Sequence, residues 1–232
     1  MNLPSLLLSS LFLMVCASCS SGLPVADNTL SSAEKKDGWL LLFDGQTMDQ
    51  WKNYRKQTVS KKWIVKDGEL TLLGRGGGDI MTRKTYENYD LKLDWKISKG
   101  GNSGIFILAD EKASTIYFNA PEIQILDSNP KTKAQHKAGS LYDMVASPVE
   151  SHKKAGEWNS VRITIIDSRL QVFQNSIKTV DITVGGDKWN ELINKSKFKK
   201  WQGFGKNKIG AIGLQDHGNV VSFKNIKIKV LN

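Results

Sequence analysis

Residues 121–127, Pro-Glu-Ile-Gln-Ile-Leu-Asp, place two acids and an amide on a short apolar segment. The two isoleucines share one parity and Glu122 and Gln124 share the other, which predicts a half-buried β-strand. Two strand positions span about 6.6–7 Å, so we expect Glu122 and Gln124 to project side by side. Asp127 has the wrong parity, and we predict a β-bulge that returns it to the same face. Such a row could exchange protons with a ligand, or it could be the solvated face of a surface strand.

A second polar cluster follows the apolar run at residues 209–214. Gln215 and His217 would share one face of an extended chain, with Asp216 between them. Imidazole and carboxyl groups are the usual general acids and bases of enzymes, although an isolated histidine is more often structural. We therefore predict that Glu122 and His217 are catalytic and share one cleft, with Asp127 as a third catalytic residue.

Four further residues are candidates for ligand contact. Asn102 and Ser103 lie in a glycine-rich turn at the mouth of a predicted strand, where they serve either the turn or a ligand. Tyr142 and Trp158 combine a flat apolar ring with a polar edge, which suits a sugar ring. Together with Gln124, Gln215 and Asp216, they form the predicted substrate-binding set.

Several other chemistries lack a motif in this sequence. The chain has no C-x-x-C pair, no histidine pair with metal-ligand spacing and no G-x-S-x-G elbow. The glycines of residues 74–78 do not open a helix, so they predict a flexible loop rather than a phosphate cradle. We predict no metal site and no cofactor. A structural Ca²⁺ or a catalytic divalent metal bound by carbonyl and Asp oxygens would leave little trace in a sequence.

The elements that must position these residues are mostly strands. Tyr89–Ile97 alternates apolar and charged residues without a fault, and residues 63–65 and 69–72 predict a hairpin through Asp67-Gly68. A slip in parity at residues 224–225 predicts a bulge in the last strand. Asp187 to Lys195 predicts one helix, with Asp187 as its N-cap. About ten strands without βαβ alternation predict a single all-β domain, an antiparallel sandwich or jelly roll.

Charge and composition narrow the classes of partner. The chain has 232 residues and a formal net charge of +10. Its lysines are spread along the polar faces of predicted strands, which protects strand edges and favours solubility over groove recognition. We predict no nucleic-acid partner.

The N-terminal segment predicts a location in the bacterial cell envelope. The apolar run at residues 6–15 is too short to span a bilayer and is followed by Ala-Ser-Cys, which predicts a signal peptide over residues 1–18 and lipidation of Cys19. Residues 19–37 then read as a linker to a domain at 38–232. We expect a periplasmic or outer-membrane lipoprotein that contacts the membrane only through this anchor; the alternative is a soluble periplasmic protein cleaved nearby.

Six ordered motifs resemble the 3-keto-disaccharide hydrolase domain family. They are residues 38–45 (GWLLLFDG), 102–106 (NSGIF), 122–127 (EIQILD), 139–143 (GSLYD), 156–159 (GEWN) and 213–218 (GLQDHG). The sequence departs from the family at Asn175-Ser176, where Asn-Gly is usual. The resemblance implies a concanavalin A-like jelly roll, secretion, and a small saccharide or glycoside substrate whose sugar carries a ketone at C3.

The resemblance also implies a reaction. A C3 ketone acidifies the proton on C2, so a base can remove it, the glycosidic oxygen can leave by elimination, and water can add to the product. On this interpretation His217 or Glu122 is the base and Asp127 supports it. Gln124, Gln215 and Asn102 would orient hydroxyl groups or hold the enolate.

Two other functions remain open from the sequence. The pattern Glu122-x-Gln124-x-x-Asp127 is similar to the acid-x-acid-x-x-acid strand of laminarinase-type β-glucanases, which predicts a direct β-glycoside hydrolase with two nearby carboxylates. A jelly roll of this size is also compatible with a non-catalytic carbohydrate-binding module.

Overall fold

The computed structural model describes residues 26–231, which fold as an antiparallel β-sandwich. The strands are β1 (Trp39–Leu41), β2 (Trp51–Asn53), β3 (Trp63–Lys66), β4 (Glu69–Leu73), β5 (Ile80–Thr82), β6 (Tyr89–Ile97), β7 (Asn102–Ala109), β8 (Glu122–Leu126), β9 (Asn159–Ile166), β10 (Arg169–Gln174), β11 (Ile177–Thr183), β12 (Ala211–Leu214) and β13 (Val220–Val230). The α-helices are α1 (Ser32–Lys36) and α2 (Asp187–Lys195). Short 3-10 helices cover Ile116–Phe118, Ala134–His136 and Lys197–Lys200.

The strands form two sheets. The larger has the order β11-β10-β9-β6-β13-β4-β3, with β1 also paired to β13, and the smaller has the order β2-β5-β12-β7-β8. This arrangement confirms the predicted all-β sandwich. Within residues 26–231 no helix is both long enough and apolar enough to cross a bilayer.

The core lies between the two sheets and is rich in aromatic residues. Trp51, Trp63, Trp95 and Phe223 are all fully buried there. Along β6 the apolar residues face this core and the charged residues face outwards, as their alternation predicts.

Local chemistry explains the turns and the bulge in β13. Asp67 and Gly68 have φ of 53° and 74°, so both central residues of the β3–β4 hairpin adopt the left-handed region that such turns require. The predicted bulge in β13 is confirmed, because its register with β6 shifts between Lys224 and Lys227. Asn225, inside the bulge, has a φ of 55° and donates from Nδ2 to Asp94 Oδ2 at 2.7 Å.

Residues 26–37, part of the predicted linker, pack against the larger sheet. Asn28 is buried, its backbone N–H donates to Asn225 Oδ1 at 2.7 Å, and its Nδ2 donates to Gly68 O at 2.8 Å. Helix α1 follows, and Glu34 pairs with Lys227. The small polar residues that suggested a tether therefore serve as hydrogen-bonding partners of the sheet. The predicted signal peptide and Cys19 lie outside the described residues.

Helix α2 has the predicted bounds but not the predicted cap. Gly186 is the N-cap residue, extended with a ψ of 174°, and no side chain caps the helix. Asp187 lies in the first turn, where its negative charge still suits the helix dipole.

Candidate active site

A cavity of ≈ 410 Å³ lies against the outer face of the smaller sheet. In β8 the isoleucines belong to the sandwich core, so Glu122 and Gln124 project to the opposite face and line the cavity. The full lining is Asp79, Asn102, Tyr117, Ala120, Glu122, Gln124, Tyr142, Lys197, Phe198, Trp201, Phe204, Gln215, Asp216 and His217. A volume of this size is typical of small-ligand sites.

The polar side of the cavity is built across three neighbouring strands. Gln215 donates from Nε2 to Glu122 Oε2 at 3.2 Å, and Gln124 donates from Nε2 to Asn102 Oδ1 at 3.3 Å. The Oε1 atoms of both glutamines are buried and accept no hydrogen bond from the described residues. Buried amide oxygens without a donor can accept hydrogen bonds from ligand hydroxyl groups.

Two carboxyl groups of the cavity have raised pKa values. Burial raises the pKa of Glu122 to about 8; the positive charge of Lys197 opposes this rise and the negative charge of Asp79 adds to it. Burial also raises the pKa of Asp79, to about 6. The pKa of Glu122 therefore lies above that of Asp79, so Glu122 is the better proton donor of the two and Asp79 is the more readily ionised.

Asp216 links two loops at the rim of the cavity through hydrogen bonds. Its Oδ2 accepts hydrogen bonds from the backbone N–H groups of Gly76 and Gly78, at 3.1 and 2.7 Å, and its own N–H donates to Asp79 Oδ1 at 2.9 Å. The glycine-rich segment predicted as a flexible loop therefore holds a carboxylate. The neighbouring His217 is exposed at the rim, and its ring makes no hydrogen bond to the described residues.

Aromatic rings form the other wall of the cavity. The Trp201 ring centroid lies 5.1 Å from that of Phe198 and 5.9 Å from that of Tyr117. The Tyr142 ring stacks on His136 with centroids 4.5 Å apart, and Lys197 Nζ lies 4.4 Å from the centroid of Tyr142. The cavity therefore combines polar groups with aromatic rings, and Tyr and Trp rings, which are apolar with a polar edge, suit a sugar ring.

The predicted position of Asp127 is wrong. Strands β7 and β8 pair in continuous register from Asn102–Leu126 to Phe106–Glu122, so the expected bulge does not occur. Asp127 instead follows the strand, and its Oδ2 accepts a hydrogen bond from the backbone N–H of Gly100 at 2.8 Å. The residue closes the β7–β8 end and does not line the cavity.

Trp158 and Ser103 also lie outside the cavity lining. Trp158 is on the larger sheet, where Lys96 Nζ and Lys224 Nζ lie 4.5 and 4.6 Å from its ring centroid. Ser103 is fully buried and donates from Oγ to the backbone oxygen of Gln215 at 2.9 Å, so it supports the site from beneath.

The structure thus brings seven of the ten predicted residues to one cavity: Asn102, Glu122, Gln124, Tyr142, Gln215, Asp216 and His217. Sequence reasoning missed Asp79, Lys197 and Trp201. Asp79 could have been suspected, because it is an acid between a glycine-rich loop and the apolar strand β5. Among the described residues there is no group of three or more His, Cys, Asp or Glu side chains that could hold a metal ion.

A saccharide-sized cavity with an acidic face and an aromatic face, on one sheet of a jelly roll, defines a carbohydrate-active protein of the concanavalin A-like class. Residues 38–229 match the model of the 3-keto-alpha-glucoside-1,2-lyase-like domain, and the chain belongs to this family. The resemblance inferred from the six sequence motifs is therefore confirmed, and the family identifies a glycoside-cleaving type of enzyme.

Similar proteins support this assignment. A 3-keto-disaccharide hydrolase of Bacteroides thetaiotaomicron is 35% identical, over 94% of this chain and 87% of that protein. A crystal structure of a Parabacteroides distasonis protein, provisionally classed as a glycosyl hydrolase, is 32% identical with a TM-score of 0.84 and covers 89% of this chain and 100% of its own. The lumenal domain of VIP36, solved with Ca²⁺ and Man3GlcNAc, is 10% identical with a TM-score of 0.51 over 85% of this chain and 90% of its own, and shares the fold.

Proposed function

We propose that this protein cleaves glycosides whose sugar carries a ketone at C3, by elimination across C1 and C2 followed by addition of water to C1. The observation that best supports this is that one saccharide-sized cavity holds both the carboxyl group of Glu122, whose pKa burial raises to about 8, and the imidazole of His217. Elimination needs both an acid and a base at the same substrate. The name of the Bacteroides relative points to the same substrate class.

The elimination divides into two proton transfers, and the addition of water reverses them: water gives a proton to the Glu122 carboxylate as its oxygen bonds to C1, and C2 regains a proton from the base. The base removes the proton from C2, and the electron pair of that C–H bond forms a C2–C3 double bond as the ketone oxygen becomes an enolate. The enolate then re-forms the ketone, a C1–C2 double bond forms, and the bond from C1 to the glycosidic oxygen breaks. The leaving oxygen takes the proton of Glu122, which is available because the pKa of this group is about 8.

We assign the base to His217 rather than to Asp79. Asp79 Oδ1 already accepts the backbone N–H of Asp216 at 2.9 Å, whereas the His217 ring makes no hydrogen bond to any described residue. Histidine is also the side chain that most often acts as a general base. Asp216 holds the loop that carries His217, so its role is to position the base.

The amide groups and the aromatic wall bind the sugar. Gln124 and Gln215 line the cavity, where their amide groups can exchange hydrogen bonds with sugar hydroxyl groups. Trp201 offers its ring to an apolar face of the substrate. These groups bind ground state and transition state alike, so they act mainly on KM.

The proposal is tested by product analysis on a panel of 3-keto-disaccharides and their unoxidised counterparts. We expect wild-type protein to release the leaving sugar from the 3-keto substrates alone, with an unsaturated 3-keto sugar as a transient product. His217→Asn and Glu122→Gln should each lower kcat by about 10²–10⁴-fold. Near-normal rates in both variants would contradict the assignment.

The same panel separates the other two functions. A direct hydrolase would cleave the unoxidised disaccharides; the position of Asp127 argues against it, since β8 then contributes one carboxyl group to the cavity rather than two. A binding module would retain the sugars without turnover.

We also propose that the mature protein is anchored in the bacterial cell envelope through a lipid on Cys19 and that it has no nucleic-acid partner. The support is the sequence Ala-Ser-Cys after a short apolar run. We expect the wild-type chain to incorporate a radioactive fatty acid and the Cys19→Ser variant to incorporate none. Equal labelling of both chains would exclude Cys19 as the site.

A further inference from the structure

Lys197 is a cation in the cavity with no ion pair to any described residue. It begins the 3-10 helix Lys197–Lys200, and its side chain lies against rings: Nζ is 4.4 Å from the centroid of Tyr142 and 5.9 Å from that of Trp201. The other lysines near it differ, since Lys195 pairs with Glu191 and Lys199 does not line the cavity. Among the described residues, Lys197 is therefore the one lysine that lines this cavity.

The backbone of Lys197 is fixed by a chain of contacts. Its N–H donates to Asp143 Oδ2 at 2.9 Å, and Asp143 Oδ1 lies 2.9 Å from His136 Nε2. His136 stacks on Tyr142, whose ring in turn contacts the ammonium group. Asp143 itself has a φ of 58°, a left-handed conformation held by these contacts. Lys197 is exposed, and these contacts hold its backbone and place its ammonium group beside the aromatic wall of the cavity.

The position of this charge matters because three carboxyl groups line the same cavity, those of Asp79, Glu122 and Asp216. The ammonium group of Lys197 lies close enough to Glu122 to oppose the rise in its pKa. A contact with an aromatic face stabilises an ammonium group by only about 0.5–1 kcal/mol at exposed sites. Lys197 therefore retains most of its capacity to stabilise an anion that forms in the cavity.

We propose that Lys197 is the residue that stabilises the enolate, by donating from Nζ to the C3 oxygen of the substrate, and that Asp143 positions it. This inference rests on the proposed elimination, because only that reaction places a negative charge on the C3 oxygen. When the base removes the C2 proton, the C–H electron pair forms the C2–C3 double bond, the π pair of the ketone moves to its oxygen, and the ammonium group offsets the new charge. The ketone then re-forms, the C2–C3 pair becomes the C1–C2 double bond, and the leaving oxygen departs with its bonding pair and takes the proton of Glu122. Lys197 itself neither gains nor loses a proton.

The test compares Lys197→Met, which keeps the length of the stem, with Lys199→Met as a matched control in the same helical turn. Two rates are measured in heavy water: cleavage of a 3-keto-disaccharide, and exchange of the C2 proton of free 3-keto-glucose, which carries a hydroxyl group instead of a leaving sugar at C1. We expect Lys197→Met to lower both rates by about 10²–10³-fold, as removal of one oxyanion donor does. Lys199→Met should stay within about twofold of wild type. Lys197→Arg, which keeps the charge, should recover part of the loss.

A double-mutant cycle tests the role of Asp143. Asp143→Ala should lower C2 exchange by less than Lys197→Met does, and the double variant should be no slower than Lys197→Met alone, because both changes remove one interaction. A purely structural role predicts additive losses and would overturn this part.

The outcomes separate the inference from the proposed function. If the wild-type protein catalyses both cleavage and exchange, and Lys197→Met does so at unchanged rates, the role of Lys197 is overturned and the proposed elimination stands. A wild-type protein that neither cleaves the 3-keto-disaccharide nor exchanges the C2 proton would overturn the elimination and the inference together.

Discussion

The carboxyl group of Glu122 occupies the space that a side chain at Gly104 would fill. A Cβ atom at position 104 would lie 2.6 Å from both Cγ and Cδ of Glu122. Gly104 is on β7, between Glu122 on β8 and Gln215 after β12, and Gly104 O accepts the backbone N–H of Gln215 at 3.0 Å. The acid can therefore reach across the middle strand to Gln215 because that strand has a glycine at this point.

Gly104→Ala should remove most of the activity while the fold survives. The new methyl group must displace the Glu122 carboxyl group, and overpacking of this kind costs about 1–3 kcal/mol of stability. We expect kcat/KM to fall by about 10²-fold or more in a steady-state assay with a 3-keto-disaccharide, because the acid leaves its hydrogen bond to Gln215. Gly186→Ala is the control, since its Cβ would make ordinary contacts of 3.4 Å and longer. Equal activity in the two variants would contradict the role of Gly104.

The rate of the wild-type enzyme should fall at alkaline pH. Glu122 must be protonated to supply the leaving oxygen, and its pKa is about 8. Above that pH we expect kcat to fall by about tenfold per pH unit. Glu122→Gln has no proton to transfer, so its residual rate should lack this limb. A wild-type rate that is flat between pH 7 and about pH 10 would exclude Glu122 as the acid.

The stability of the folded chain should also depend on Glu122. Its pKa is about 8 when folded and has an ordinary value of 4.5, so the folded state keeps a proton that the unfolded state releases between these values. The free energy of unfolding therefore falls as pH rises through this window, by at most about 1.4 kcal/mol per pH unit. Glu122→Gln is neutral throughout, so it should gain stability relative to wild type between about pH 5 and pH 8. Urea unfolding at several pH values measures this, and parallel curves for the two chains would contradict it.

Trp201→Ala should weaken substrate binding more than it slows chemistry. Contacts between aromatic rings are worth about 0.5–1.5 kcal/mol, and a loss of the same size here would raise KM by about 2- to 13-fold. Trp158→Ala is the matched control, because this tryptophan lies between Lys96 and Lys224 on the other sheet. An effect on KM from Trp158 and none from Trp201 would place the sugar elsewhere.

Asp127→Ala should leave the catalytic rate within about threefold of wild type. Its carboxylate binds the Gly100 N–H and does not line the cavity, so the loss is a turn contact of about 0.5–1.5 kcal/mol. A thermal melt should show the lower stability, while the kinetic assay should not change. A rate loss comparable to that of Glu122→Gln would show that Asp127 takes part in catalysis.

Much of the fold follows from local patterns. Alternation in β6 identifies the core-facing residues without tertiary information, since side chains in a strand alternate between two faces. The bulge at Asn225 follows from a change of parity, and the β3–β4 turn follows from Asp67-Gly68. By the same rule, parity alone places Glu122 and Gln124 on one face.

The site required the tertiary structure. The parity rule failed at Asp127 because the chain leaves the sheet after Leu126, and the distant turn at Gly100 supplies its hydrogen-bond donor. Asp79, Lys197 and Trp201 reach the cavity from segments between strands, whose position depends on which strands are neighbours.

The sequence by itself determined the sandwich, the polar face of β8 and the family, because these are written in residue types at fixed short spacings. Only the tertiary structure decided which carboxyl group has the raised pKa and which ammonium group lies near it. A pKa depends on burial and on charges brought close by folding, and the pKa of Glu122 reflects Lys197 and Asp79, 75 and 43 positions away in the chain.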